Sequence, residues 1–159
     1  MILDAIDRQI IQLTQAGLPL VAEPYQAVAL QLGLSAQELM QRMAAMQDAG
    51  IIRRIGAVPN HYKLGYLYNG MTVWDIADQH IESLGKQVAG LTFVSHCYQR
   101  PRHLPDWPYN LFAMIHSRTQ QDAEKQVAAV AALLGDYVRG HEVLYSTKLL
   151  KKTGLRIAG

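Results

Sequence analysis

The chain has a single cysteine, Cys97, among 159 residues. That excludes an intrachain disulfide framework and suits a reducing compartment. No apolar run approaches the ~20 residues needed to cross a bilayer, so no membrane span is expected. The opening MILDAIDRQ places acids early and lacks a basic n-region, unlike a secretory signal. Together these features point to a cytoplasmic protein. No CxxC, HExxH, GxGxxG or P-loop pattern occurs, so the usual zinc, dinucleotide and nucleotide sites have no support. No metal site is expected. There is no internal repeat and no low-complexity stretch. Positive charge is scarce at the start: residues 1–50 carry a net −3, whereas residues 51–159 carry +5. An anionic partner is therefore to be sought in the second part.

What is present is globular in composition, half hydrophobic and 18% charged, and long enough for one domain or two small ones. Ile6, Ile10 and Leu13 recur at helical spacing up to a stop at Gly17. After Pro19 and the Glu23-Pro24 pair, a short helix runs from about Tyr25 to Leu32 and ends at Gly33. Ser35-Ala-Gln-Glu38 reads as a capping box, with Ser35 as N-cap and Glu38 reaching back. It opens a third helix carrying Leu39, Met43 and Met46 inward as far as Gly50. Helix, helix, tight turn, helix is a helix-turn-helix layout. The β-like run 51–58 (IIRRIGAV) would form its wing, which sets a domain boundary at 58/59.

From 59 to 159 the pattern is βαββαβ, a ferredoxin-like arrangement. Strands are expected at 66–76, 91–98, 109–116 and 138–147, and helices at 77–90 and from Thr119 to Gly135. The basic tail KLLKKTGLRIAG is expected to be partly mobile. The fold class is α+β, with a winged helix-turn-helix before the sandwich. Along 109–116, Leu111, Ala113 and Ile115 share one face, and Phe112, Met114 and His116 the other. Both faces are largely apolar, yet two helices cover only one. Dimerisation through the sheets would cover the second.

Two segments concentrate chemistry. One is Arg53-Arg54-Ile-Gly-Ala-Val-Pro-Asn-His61-Tyr62-Lys63. The other is His96-Cys-Tyr98-Gln-Arg100-Pro-Arg102-His103-Leu-Pro-Asp-Trp107-Pro-Tyr109. A hairpin needs 2–5 loop residues. The second segment inserts about ten between Tyr98 and Tyr109, with Pro101, Pro105 and Pro108 stiffening them. Arginine offers a planar fork to carboxylates, Trp and Tyr faces suit a flat ring, and histidine donates protons near neutral pH. A surface His or Arg is most often plain solvated decoration. Here the residue types converge on one kind of ligand, which favours a pocket wall. His80 beside Ile81 reads as structural, and His141 alone is uninformative. Cys97 points opposite to His96 and reads as core rather than as a nucleophile.

LDAIDRQIIQLTQAG, the capped third helix and IIRRIGAV resemble the opening of Lrp/AsnC-type regulators. RRIGAVPNHYKLGY, NGMTVWD and FVSHCYQRPRHLPDWPYNLFAMIH resemble more closely an enzymatic branch of that superfamily, the siroheme decarboxylases. The resemblance covers essentially the whole chain. It implies loss of CO2 from two acetate arms of siroheme to give didecarboxysiroheme, on the way to heme d1 or in the alternative heme pathway. It also implies work in sets of related subunits and no organic cofactor. On this reading Arg53, Arg54, Arg100 and Arg102 grip the unreacting arms, with Tyr62, Lys63, Tyr98 and Trp107 completing the substrate site. His61, His96 or His103 supplies the proton, the first two ranking ahead because a strand end and a wing are firmer platforms than a loop middle; which of them acts, and whether one ligates the iron instead, is left open by the sequence.

Two alternatives remain open. A DNA-binding regulator would need basic side chains around its recognition helix, yet residues 36–48 offer only Arg42 against Glu38 and Asp48. A non-catalytic tetrapyrrole-binding subunit would share most of the features above.

Overall fold

The structure, a computed structural model, describes residues 2–148, 150–151 and 156–157. It divides into two compact units. One runs up to Val58 and takes in the C-terminal segment from Lys151, and the other spans Pro59–Leu150. Much of the tail expected to be mobile (149, 152–155 and 158–159) lies outside the described residues. Ile157 is described. Its backbone N–H donates to the Gln15 side chain at 2.9 Å, and its carbonyl accepts from the same amide at 3.2 Å.

The first unit contains α1 (Ala5–Thr14), α2 (Pro24–Leu32) and α3 (Ala36–Asp48). Helix α1 opens on a reciprocal cap that periodicity alone did not reveal. Asp4 accepts from the Asp7 backbone, and Asp7 accepts from that of Asp4, which satisfies two donors that a helix start leaves orphaned. Gly33, at φ +67°, closes α2 in the left-handed region that glycine enters without steric cost. Ser35 caps α3 by accepting from Glu38 N–H. The Glu38 side chain does not complete the expected box; it accepts from Arg42 Nε at 3.4 Å. Arg42 also bonds Asp4 and Asp7 at 2.9 Å each. Ile10, Leu39, Met43 and Met46 form the core.

The expected wing is not a strand: residues 51–58 have no β pairing among the described residues. The reason lies at the end of α3. The backbone N–H groups of Ile51 and Ile52 both donate to the Met46 carbonyl, at 2.9 and 3.1 Å. They are spent closing the helix behind Gly50, at φ +72°, rather than building a ladder.

The second unit orders its elements β1 (Tyr68–Ile76), α4 (Ile81–Ala89), β2 (Val94–Gln99), β3 (Leu111–Ser117), α5 (Gln120–Leu134) and β4 (Val138–Tyr145). The strands form one antiparallel sheet in the order β2-β3-β1-β4, the ferredoxin-like topology. The helix expected over 77–90 begins with a separate 3-10 turn at Asp78–His80. Helices α4 and α5 cover one face, where Leu84 and Val88 of α4 and Val130 and Leu134 of α5 pack with Trp74, Ile76, Leu111 and Ala113 of the sheet. Burying each of the larger aliphatic side chains among them contributes roughly 1.5–3 kcal/mol. Cys97 packs at the edge of this core, and burial pushes its thiol pKa up, as a core reading requires. His141 stacks on Trp74 at 4.6 Å. His80 packs against Tyr137 at 4.3 Å.

Strand β3 begins at Leu111 rather than 109 because Asn110 has other work. Its side chain accepts from Ile76 N–H at 2.9 Å and donates to Ile76 C=O at 2.8 Å. It thereby replaces backbone pairing where β1 shifts register at Asp75/Ile76. Asn110→Ala leaves the buried Ile76 N–H unpaired. We expect a loss of about 1–3 kcal/mol, read as a lower urea midpoint at unchanged slope. An unchanged midpoint would refute this role.

Candidate active site

The alternation of β1, β2 and β3 sends Val73, His96, Tyr98, Phe112, Met114 and His116 to the sheet face opposite the helices. Their cross-strand partners confirm it: His96 lies opposite Met114, Tyr98 opposite Phe112, and Val73 opposite Phe112. This face is partly roofed. Val73 and Phe112 are buried, Met71 and Met114 half-buried, and His96 and Tyr98 exposed.

At one end the long loop between β2 and β3 folds over the face. Trp107 stacks over Phe112, centroids 6.4 Å apart, and meets Tyr109 edge-on at 5.1 Å. His103 and Trp107 exchange backbone hydrogen bonds at 2.9 and 2.8 Å, so the loop tip is a closed turn. The Arg100 guanidinium carbon sits 5.5 Å from the Tyr98 ring centre and 5.2 Å from that of Phe112. It is a cation laid on aromatic faces. A crevice of about 620 Å³ opens at the loop root, lined by Asp78, Gln99, Arg100, Pro101, Arg102 and Asn110.

Arg102, expected beside Arg100 as an anion-gripping group, is engaged internally. It bonds Asp75 at 2.8 Å and the Pro108 carbonyl at 2.8 Å, and it also contacts Asp78 and the Ile76 carbonyl. Burial opposes the charge on Arg102, but the hydrogen bonds to Asp75 and Asp78 outweigh it and raise its pKa. In return, Arg102 lowers the pKa of Asp78. Arg139 reaches the same Asp75 at 3.1 Å. Near this end the Glu142 carboxylate, with burial, raises the pKa of the Tyr109 hydroxyl.

At the other end lies the turn 61–65. Asn60 Oδ1 accepts from the backbones of Tyr62 and Lys63, an Asx turn. The His61 carbonyl accepts from Leu64 and Tyr66 at 3.1 and 2.9 Å. The His61 ring lies 4.4 Å from Tyr62 and 5.5 Å from His116. Lys63 is exposed, and Arg118 stacks over Tyr66 at 5.0 Å.

The structure thus gathers His61, Tyr62, His96, Tyr98, Arg100 and Trp107 in one unit around one sheet face. His103 is exposed on the closed turn. Arg53 and Arg54 are exposed and belong to the first unit. His116 and Arg118 were not among the candidates, although alternation already put His116 on the face of Phe112. Among the described residues no three His, Cys, Asp or Glu side chains converge as a metal-binding group.

The fold and this aromatic, basic face define a class, and the comparisons agree with it. Residues 63–151 match the AsnC-like ligand binding domain, and residues 7–53 match the siroheme decarboxylase NirDL-like HTH domain. The chain is 58% identical to the siroheme decarboxylase NirH subunit of Pseudomonas aeruginosa, over 95% of this chain and 88% of the relative. It is 40% identical to the siroheme decarboxylase beta subunit of Methanosarcina barkeri, over 98% and 100%. A crystal structure of the siroheme decarboxylase NirDL in complex with an iron-uroporphyrin III analogue superposes with a TM-score of 0.65 at 32% identity, over 99% of this chain and 47% of that one. The chain belongs to the siroheme decarboxylase subunit family, within the AsnC-like superfamily.

Asp75→Ala removes the group that anchors the loop through Arg102. Losing charged hydrogen bonds of this kind costs about 1.5–3 kcal/mol. Limited trypsin digestion should cut the Arg102–His103 bond faster in the variant than in the parent, and equal rates would contradict the anchor.

Proposed function

We propose that this chain is a working subunit of a cytoplasmic siroheme decarboxylase, removing CO2 from two acetate arms of siroheme in a pathway to heme d1 or heme. The observation that carries the reading is the roofed sheet face. It has a floor of Met71, Val73, Phe112 and Met114, aromatic walls at Tyr98 and Trp107, and cations at both ends. The relatives are named as subunits, which supports work with a related chain. Exposed residues on the two edge strands, His96 and Tyr98 on β2 and Leu144 on β4, support closure by such a chain.

The chemistry asks for opposite surroundings at different arms. When an acetate loses CO2, the bonding electron pair stays on the methylene carbon and spreads into the conjugated ring. A proton then completes a methyl group. An arginine on the reacting carboxylate would stabilise the ground state and slow the reaction. Arg100 at the loop end, with Arg118 and Lys63 at the turn end, therefore grip arms that do not react. A reacting arm lies on the apolar floor, where its charge is poorly solvated. Arg102 braces the loop rather than the substrate. His61 is the proton donor favoured here, because its turn is tied by backbone hydrogen bonds and its ring is flanked by Tyr62 and His116. His96, exposed on the edge strand β2, is second. His103, Arg53 and Arg54 lie off this face or in the other unit and have no assigned part.

We expect Arg100→Ala to weaken siroheme binding, followed by absorbance, by about 10- to 100-fold. His61→Ala should bind normally and cut turnover by ~10²–10⁴-fold, followed by product mass under anaerobic conditions with the partner subunit present. Normal turnover in both the His61→Ala and His96→Ala variants would make this chain a substrate holder rather than the catalytic subunit.

We further propose that the helix-turn-helix unit does not read DNA. Arg42, the only cation on α3, is engaged by Asp4, Asp7 and Glu38, which leaves no free basic side chain on that helix for phosphates. Mobility-shift assays at physiological salt should show no sequence-selective complex, and nanomolar operator binding would overturn this.

A further inference from the structure

We propose that Glu142 acts on the substrate by repulsion: its carboxylate stands beside the apolar floor and raises the energy of an acetate arm lying there, a penalty that vanishes once the arm has lost CO2. The inference rests on the reading of the roofed sheet face given above and names a specificity-determining residue for it.

The register puts Glu142 on that face. In an antiparallel pair, residues directly opposite share a face, with Cβ atoms roughly 4.5–5.5 Å apart. Val73 pairs with Phe112 on one side and with Glu142 on the other. Met71 pairs likewise with Met114 and Leu144. The floor thus continues from β3 through β1 onto β4, and at Glu142 it meets a charge. The face carries a second acid, Asp75, two residues along β1 from Val73. Its charge is answered by Arg102 at 2.8 Å and Arg139 at 3.1 Å. Glu142 enters none of the ion pairs among the described residues. It meets the Tyr109 hydroxyl, whose pKa is raised first by the hydrogen bond to Glu142 and then by burial. The phenol therefore keeps its proton, and the carboxylate is the acceptor. A neutral donor orients the carboxylate without cancelling its charge. Tyr109 packs edge-on against Trp107 at 5.1 Å, so the acid is tied to the wall of the site.

A site that only had to grip a polyanion gains nothing from such a carboxylate beside its floor. A site that must decarboxylate can use one. The reaction converts –CH2–COO− and one proton into –CH3 and CO2, so the arm is anionic before and neutral after. A like charge close by opposes the bound substrate and leaves the product untouched. As the electron pair moves from the carboxylate toward the ring, negative charge withdraws from Glu142 and the repulsion falls. The barrier measured from the bound state is thereby lowered. Glu142 is exposed in the single chain, where water and salt screen it; the closure by a related chain proposed above removes that screening. Arms held by Arg100 or Arg118 lie against cations instead, so Glu142 also helps to select which arms react.

The test uses the full chain with its partner subunit under anaerobic conditions. Glu142→Gln keeps an acceptor for Tyr109 and removes the charge. We expect siroheme, followed by absorbance immediately after rapid mixing, to bind about 10-fold tighter. Turnover should show kcat and KM falling together by about 10-fold, with kcat/KM nearly unchanged, the signature of relieved ground-state strain. Affinity for didecarboxysiroheme, which carries methyl groups where the acetates were, should stay within about twofold. Tyr109→Phe keeps the charge and loses only the hydroxyl, so it should not tighten siroheme binding. Unchanged or weaker siroheme affinity in Glu142→Gln, a fall in kcat at unchanged KM, equal tightening toward the product, or the same tightening in Tyr109→Phe would overturn the inference. If the parent itself does not convert siroheme, the proposed function fails and takes this inference with it, and the parent alone reveals that before any variant is made.

Discussion

Asp75 holds two arginines at the end of β1, and the layout of the candidate site depends on that contact. Arg102 comes from the long loop and Arg139 from β4. A loop of this length on an open sheet face would otherwise lose much conformational entropy on ordering. The ion pair with Asp75, the hydrogen bond from Arg102 to the Pro108 carbonyl and the His103–Trp107 turn divide it into short tethered pieces. Trp107 is thereby set over Phe112, and Arg100, beside the anchor but outside it, remains available over Tyr98 and Phe112. Two arginines separated by one proline thus do different work. One is nearly enclosed and structural, and the other is laid on aromatic rings at the surface.

The sheet makes this division useful. Its helix-covered face is an ordinary apolar core, and its opposite face is apolar in the middle and polar at both ends. His116 lies four residues along β3 from Phe112, roughly 13 Å at the rise of a strand. Cationic groups at Arg100 and Arg118 therefore bracket an apolar floor. A flat, polyanionic ring would meet charge at its rim and poor solvation over its middle, which separates arms that are gripped from arms that react.

Much of this was legible in the sequence, for identifiable reasons. Period-two alternation through 111–117 placed Phe112, Met114 and His116 on one face, and the proline-stiffened, aromatic loop drew attention to the segment that folds over that face. The ferredoxin-like order followed from strand and helix periods. The wing was misread because Ile51–Ile55 has strand composition, whereas the backbone donors of Ile51 and Ile52 are consumed at the end of α3. Arg102 was grouped with Arg100 because two arginines flanking one proline look alike in a sequence; only the folded loop shows that Asp75 bonds one of them. His116 was passed over because a lone histidine in an apolar strand carries no local signature. Two of its partners, Asn69 and Ser95, come from two other elements.

The central claim is that the substrate lies on the sheet face opposite the helices. Met71 and Met114 face each other across β1 and β3 on that floor, so their methyl groups report on it directly. In protein labelled with 13C at the methionine methyls, titration with siroheme should shift or broaden the Met71 and Met114 signals through ring current and iron paramagnetism. If siroheme binds, as its absorbance would show, while both signals stay unchanged, the substrate lies elsewhere and the account of the site is wrong.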